Sequence, residues 1–316
     1  MKINRKPSWW DISVRVLTRA GLLSVVIIFV ALNFTTYRLA HSYMHPPRVA
    51  ATGEMLRANG ITFETISLTT EDEITLRAFY TPSKNGAVIL AAHGHGGTIP
   101  EDMVLLFAQH GYGVLAWDFR AHGASGGDFT SIGYYEVLDM KAALDFALAQ
   151  PGVEHVGVWG GSMGAATAIR AAARYPQIEA VVADSSFDTL EGVFHVRVPH
   201  PVLRPFIQFY AEMETGVSLE DVRPVDKIGK ISPRLVFIIQ GLGDYSIPHQ
   251  SAQSLFEAAG EPKYIWEGED AGHLMMYNKY LEDYEARVID FFNNTLLGKS
   301  ILVDYEKITP AFQSLD

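Results

Sequence analysis

The stretch from Val153 to Ala173 constrains this chain more than any other. Val153, Val156 and Val158 make its first half a short apolar run, which reads as a buried strand. Its second half is rich in alanine, with neither Gly nor Pro after Gly164, and reads as a helix. Between them Gly160-Gly161-Ser162-Met163-Gly164 fits G-x-S-x-G. A strand that turns at once into a helix forces its pivot residue into a strained backbone conformation. Glycines two before and two after let the crossing chains pass. The pivot side chain then stands clear of the sheet, beside helix N–H groups that lack partners and can stabilise an anion. That geometry suits a nucleophilic serine. The alternative is a Gly-rich turn with an idle hydroxyl.

The rest of the body sets this unit in a repeating order. Ile61–Thr69 and Ile74–Tyr80 alternate apolar and polar residues and read as strands joined through Glu71-Asp72-Glu73. Ala87–Ala92 is a continuous apolar run, as expected of a strand buried on both faces. The spacing predicts a helix over Met103–Gln109, a strand over Gly111–Trp117, a loop over Asp118–Gly127 and a helix over Tyr134–Ala149. After the Ser162 unit come strands at Ile178–Ala183, Leu235–Ile239 and Tyr264–Trp266, with helices at Ala252–Ala259 and Tyr277–Asn293. Strands alternating with helices imply an α/β fold, a mostly parallel central sheet with helices on both faces. No repeat or low-complexity segment interrupts it.

One segment breaks the rhythm. Asp188–Ser232 separates two strands by far more than a simple crossover needs. It holds Pro199, Pro201, Pro205 and Pro224, and the aromatic residues Phe194, Phe206, Phe209 and Tyr210. It reads either as a lid, whose aromatic residues would bury apolar acyl surface, or as a surface excursion with its own small core.

The N-terminus is of a different kind. Ala20 to Phe34 carries no charge and is almost wholly apolar, and its flanks extend it toward the ~20 residues that cross a bilayer. Lys2, Arg5, Lys6, Arg15 and Arg19 precede it, and Arg38 and Arg48 follow. The positive-inside rule then places the N-terminus in the cytoplasm and the body outside it, with Trp9, Trp10 and Tyr37 at the interfaces. A cleaved signal peptide competes, although Arg38-Leu39-Ala40 is a poor cleavage site. A buried core helix is the third reading. Pro46-Pro47 ends any helix and begins the body. The expected division is therefore an anchor over 1–47 and a catalytic domain over 48–316, with a lid at about 188–232.

Composition narrows the chemistry. The chain has 316 residues and no cysteine, which excludes disulfides, thiolate metal sites and a cysteine nucleophile. Its formal net charge is −11, yet seven of its 25 Lys and Arg residues lie in the first fifty positions beside a single acid, Asp11. The remainder is strongly acidic and a poor nucleic-acid binder.

A serine hydroxyl needs a base, and the base needs an orienting acid. In the arrangement built on such a turn, the acid and then the histidine follow the serine in the chain. Four histidines follow Ser162: His195, His200, His249 and His273. The first two lie in the insertion and His249 at a helix start. His273, in Asp270-Ala271-Gly272-His273, lies between the last strand and the last helix, at the sheet edge that holds Ser162. Asp244 follows the strand Leu235–Ile239 at the same edge, and Asp184 is its rival. Glu267, Glu269 and Asp270 are nearer in sequence but serve equally well to solvate the loop. The expected oxyanion donors are the backbone N–H groups of Met163 and His95. His93-x-His95 lacks further ligands at a metal-site spacing, so neither a metal nor a cofactor is expected.

These motifs together resemble the α/β-hydrolase superfamily, closest to its serine-aminopeptidase-like and acyltransferase-like branch. The matching segments are HGHGG at 93–97, DFRAHGASGG at 118–127, GGSMG at 160–164, ADSSF at 183–187, QGLGDYSIP at 240–248 and DAGH at 270–273. They cover roughly Ile61 to Asn293 in order. The resemblance implies a Ser162–His273–Asp244 hydrolase that cleaves an ester through an acyl-enzyme, or a peptidase or thioesterase on the same residues. A small-molecule or lipid-like acyl substrate is implied, with the membrane reached through the N-terminal helix and the oligomeric state left open. Gln240 stands where His is frequent in that motif and touches no role assigned above. S-x-x-K chemistry is excluded by Ala165, and dinucleotide binding by the missing last glycine of G-x-G-x-x-G. A membrane-tethered binding protein that kept the fold without activity is the non-enzymatic alternative.

Overall fold

Eight strands form one sheet in the order β1-β2-β4-β3-β5-β6-β7-β8. They are β1 (Glu64–Thr69), β2 (Thr75–Thr81), β3 (Ala87–Ala92), β4 (Gly113–Trp117), β5 (His155–Gly161), β6 (Ala180–Asp184), β7 (Leu235–Gly241) and β8 (Lys263–Gly268). The first two join antiparallel, β2 also pairs antiparallel with β4, and all later pairs are parallel. The structure is a computed structural model and describes residues 8–299. Lys2, Arg5 and Lys6, which carry part of the expected charge asymmetry, lie outside the described residues.

The helices are α1 (Trp9–Met44), α2 (Glu54–Ala58), α3 (Glu101–Gln109), α4 (Glu136–Leu148), α5 (Met163–Arg174), α6 (Leu190–Arg197), α7 (Arg204–Thr215), α8 (Val225–Ile228), α9 (His249–Ala258), α10 (Met276–Lys279) and α11 (Leu281–Leu297). Alternation along the central strands divides the core. Val88 and Leu90 of β3 join a cluster with Met140, Ile169 and Leu255 of α4, α5 and α9. Ile89 and Ala91 point the other way, onto Phe107 of α3 and Phe292 of α11. Both faces of the parallel strands are thus covered, and their continuous apolar runs follow from that.

The expected elements appear with shifted ends. The single helix expected over Tyr277–Asn293 is broken at Tyr280, whose φ of −121° and ψ of 45° leave helical geometry. The Tyr280 hydroxyl donates to the Glu269 carbonyl at 2.6 Å and its ring packs against Trp266. Ile61 and Phe63 precede β1 and pack onto the second cluster instead of extending the strand. The Asp118–Gly127 loop is held by Arg120, which bonds to Asp139 and Asp72.

α1 is long and apolar enough to cross a membrane, and its most apolar window is wholly exposed. A core helix would bury that window, so the core-helix reading fails. At about 1.5 Å per residue α1 exceeds the ~30 Å hydrocarbon core by several turns. Its C-terminal turns pack on the body. There Ala40 and Met44 bury against Val198, Ile207 and Ala211 of the 188–232 insertion. Tyr210 donates its hydroxyl to Asn33 Oδ1 at 2.8 Å. The insertion also carries a small core of its own, with Leu190, Val193, Leu219 and Val222 packed on Ala166 and Ile247.

Candidate active site

Ser162 sits between β5 and α5 with φ 53° and ψ −114°, a strained conformation for a residue with a side chain. The crossing it makes leaves no room beside it. A Cβ on Gly164 would lie 2.2 Å from the Ala92 carbonyl oxygen, and one on Gly160 would lie 2.5 Å from the Gly164 carbonyl carbon. Ser162 N–H donates to the Asp184 carbonyl at 2.8 Å, which pins the turn to the end of β6.

Three side chains from three separate loops meet here. Ser162 Oγ lies 3.0 Å from His273 Nε2, and His273 Nδ1 lies 2.7 Å from Asp244 Oδ2. With Nδ1–H donating to the carboxylate, Nε2 is free to accept from the serine. Asp244 Oδ1 accepts from the N–H groups of Ser246 and Ile247 at 2.7 and 2.9 Å. Burial works to raise the Asp244 carboxyl, but the bonds from His273, Ile247 and Ser246 outweigh it and hold the group below its ordinary range. The acid loop and the histidine loop are joined through Gly243 N–H and the Ala271 carbonyl at 2.9 Å.

One expectation is corrected. Gln240 does touch a residue with an assigned role: its Nε2 donates to Asp244 Oδ2 at 3.3 Å. It lies near the end of β7, and a buried amide there can reach the carboxylate that follows. The rival acid Asp184 has other partners. Its carboxylate accepts from Tyr284 and Ser185 at 2.8 and 2.9 Å, and Tyr284 in turn accepts from Trp159 Nε1. Burial pushes Asp184 up to about 6 against those bonds. His195 and His200 are exposed in the insertion, and Asp270 lies near Lys279 at 3.8 Å.

The loop after β3 brings Gly94 against Ser162, so that a Cβ on that glycine would lie 3.2 Å from Ser162 Cβ. His95 and Met163 both line the pocket above the serine. Both ring nitrogens of His93 are engaged by the main chain. Its Nδ1–H donates to the Gly94 carbonyl at 2.7 Å and its Nε2 accepts from Phe119 N–H at 3.0 Å. Burial, with His122 close by, pushes it down to about 3, so the ring stays neutral. The His95 ring turns from the serine toward α1 and donates through Nε2 to the Tyr43 carbonyl at 2.7 Å.

Above Ser162 lies a narrow apolar pocket that opens to solvent. Phe194, Ile207 and Ala211 of the insertion line it, so the segment does reach over the serine. The other aromatic residues do not serve as expected. Phe206, Phe209 and Tyr210 are absent from the lining: Tyr210 turns to Asn33 and Tyr37 of α1, and Phe209 is 60% exposed. The wall that the sequence pattern alone does not reveal is α1 itself, through Ala40, Tyr43 and Met44. A signal for it is present in the spacing. Ala40 and Met44 stand four apart, on one helix face, beyond the uncharged run.

Comparison with known proteins agrees with this fold. A sequence profile of the family described as Serine aminopeptidase, S33 matches residues 83–210. The uncharacterized protein YqkD of Bacillus subtilis (strain 168) is 32% identical over 200 residues, which are 60% of this chain and 65% of that protein. The chain thus spans just under two thirds of that relative's length. The uncharacterized protein YfhR of Escherichia coli (strain K12) is 24% identical over 247 residues, covering 74% of this chain and 81% of that protein. Among solved structures, an esterase of Pyrococcus furiosus superposes with a TM-score of 0.70 at 25% identity, covering 80% of this chain and 98% of that one. An acylaminoacyl peptidase of Pyrococcus horikoshii shares the fold, with a TM-score of 0.64 at 16% identity over 82% of this chain and 46% of that one.

Proposed function

We propose that this α/β hydrolase is a serine esterase of apolar acyl esters, with Ser162 as nucleophile, His273 as general base and Asp244 as orienting acid. The single observation that carries the reading is the pair of contacts at 3.0 and 2.7 Å linking the three groups, with Ser162 itself lining an apolar pocket. Ser162 Oγ attacks the ester carbonyl carbon and its proton passes to His273 Nε2. Asp244 stabilises the imidazolium that forms. The carbonyl electrons move onto oxygen, which is met by the N–H groups of Met163 and His95. Collapse expels the alcohol, which takes the proton from His273, and leaves an acyl-enzyme on Ser162. Water, deprotonated by His273, then releases the acid by the same route in reverse.

The substrate is assigned from the pocket. Its lining is mostly aliphatic and aromatic and includes neither Asp nor Glu. An aminopeptidase has to hold a protonated α-amine, for which a carboxylate is the natural partner. An ester with an apolar acyl group fits this lining better than a free peptide N-terminus. We assign 1–47 to an anchor and 48–316 to the hydrolase domain, with the lid at about 188–232 and the catalytic body on the extracytoplasmic side. The anchor's last turns also belong to the pocket, which favours a lipid-like substrate drawn from the membrane surface. A hydrolysis panel tests the reading, with esters of increasing chain length beside thioesters and aminoacyl amides. Preference for medium or long acyl esters supports it, and preference for aminoacyl amides overturns it.

A further inference from the structure

A second cluster of side chains lies outside the serine site, where α1 meets the insertion. His41, in the last turn of α1, and His45, one residue past its end, stand four residues apart, and His45 N–H still donates to the His41 carbonyl at 2.9 Å, which keeps both rings on one side. The rings lie 3.9 Å apart between centroids. Glu214, in the last turn of α7, reaches them from 169 residues further along the chain. Its Oε1 lies 3.0 Å from His41 Nδ1 and also contacts His45 Nε2. The three atoms all fall within 4.8 Å of one another. Ligand atoms held at about 2.0–2.2 Å on a tetrahedral zinc ion stand roughly 3.3 Å apart, so the cluster is already near coordination size.

A second observation points the same way. Glu214 Oε2 is buried and has no hydrogen-bond partner. An unsatisfied buried carboxylate oxygen is unfavourable, and coordination through both oxygens of Glu214 would remove the deficit. We infer that His41, His45 and Glu214 bind a divalent transition-metal ion of the zinc class. Two imidazoles and one carboxylate suit zinc and its neighbours, whereas calcium and magnesium prefer all-oxygen sites. Three protein ligands leave a fourth position for water. Binding displaces the protons that now bridge the rings and the carboxylate. The rings are 41% and 30% exposed at the side chain, so an ion can enter from solvent.

The ion's role is structural. α1 and α7 both line the acyl pocket, through Ala40 and Met44 on one and Ile207 and Ala211 on the other. His41 and His45 are the next residues round the same helical turns. An ion there clamps the apolar helix to the lid and fixes the outer wall of the pocket. His41 and His45 already stand at an i, i+4 spacing in the sequence, but two ligands do not make a site. The set stays hidden in the sequence because its third member, Glu214, arrives through tertiary packing.

The test uses full-length protein, purified in detergent without a polyhistidine tag, stripped with a chelator and titrated with Zn²⁺ alone. One zinc should remain per chain after desalting, and the melting temperature should rise with zinc. His41→Ala, His45→Gln and Glu214→Gln should each weaken binding by more than the roughly 10–100-fold typical of changes to groups that only support a ligand, and lose the thermal shift. Circular dichroism establishes that the variants are folded, and His45→Gln keeps an amide of similar reach should the alanine variant unfold. A wild-type chain that retains no zinc overturns the inference. So does equal retention by the folded variants, which would place the ion on other histidines.

Discussion

The His95 ring donates to the main-chain oxygen of Tyr43 at 2.7 Å, and so bonds the loop beside Ser162 to the last turns of the apolar N-terminal helix. Tyr43 and His95 also line the same pocket. The helix therefore has two parts with separate duties. Up to about Ala31 its described side chains are exposed, and beyond that one face, with Thr36, Ala40 and Met44, is buried.

Two truncations separate those parts. Deleting residues 1–31 should abolish carbonate-resistant membrane association while leaving short-chain ester hydrolysis close to wild type. Deleting residues 1–46 should in addition lower the melting temperature and long-chain hydrolysis, because Ala40, Tyr43 and Met44 leave the pocket wall. Identical behaviour of the two proteins would show that the packed turns contribute nothing. A mature chain beginning just after Tyr37 would identify a cleaved signal instead of an anchor.

Asp244→Asn should lower kcat by on the order of 10⁴, since an amide holds His273 in the wrong tautomer. Asp184→Asn should cost far less, because that carboxylate bonds to Tyr284 and Ser185 and not to the imidazole. Steady-state kinetics on one activated ester decides it. The reverse ranking would move the orienting acid to the end of β6.

The Ser162 turn, Asp244 and His273 are legible in the sequence because each follows a short apolar strand, and strand ends fix the sheet edge where side chains gather. The places of Phe206 and Phe209 are not, because aromatic character says nothing of which face of α7 meets the pocket. Ala40 and Met44 escape notice as pocket residues because a helix judged by hydropathy reads as membrane up to its last apolar residue. The contact of Gln240 with Asp244 is hidden as well, since it depends on how the chain turns back after β7.

Pocket residues should sort substrates by length. Phe194→Ala should cost roughly 1–3 kcal/mol in kcat/KM on long acyl esters and little on acetyl esters. Phe209→Ala should leave both unchanged, since that ring is mostly in solvent. Kinetics across chain lengths gives the answer. A uniform loss in Phe194→Ala, or a selective loss in Phe209→Ala, would contradict this pocket geometry.

His93 predicts an acid limb of stability. Burial pushes its pKa down to about 3, while an unfolded histidine titrates near 6.5. Between those values the unfolded chain binds the extra proton. Its contribution is fully present above about pH 6.5 and is lost as the pH falls toward 3. Asp184, raised to about 6, has the opposite sign: it loses stability as the pH rises through that value. Urea midpoints for wild type and His93→Gln should therefore be compared across pH. The variant should be weaker at neutral pH yet fall less steeply on acidification. Parallel curves would assign the acid limb to other groups.

The central claim, that Ser162 is an activated nucleophile, is tested most directly by covalent labelling with a fluorophosphonate and peptide mass spectrometry. One adduct is predicted, on Ser162. It should vanish in Ser162→Ala and slow by on the order of a thousand-fold or more in His273→Ala. A folded wild-type protein that takes no label, or takes it at another serine, would contradict the claim.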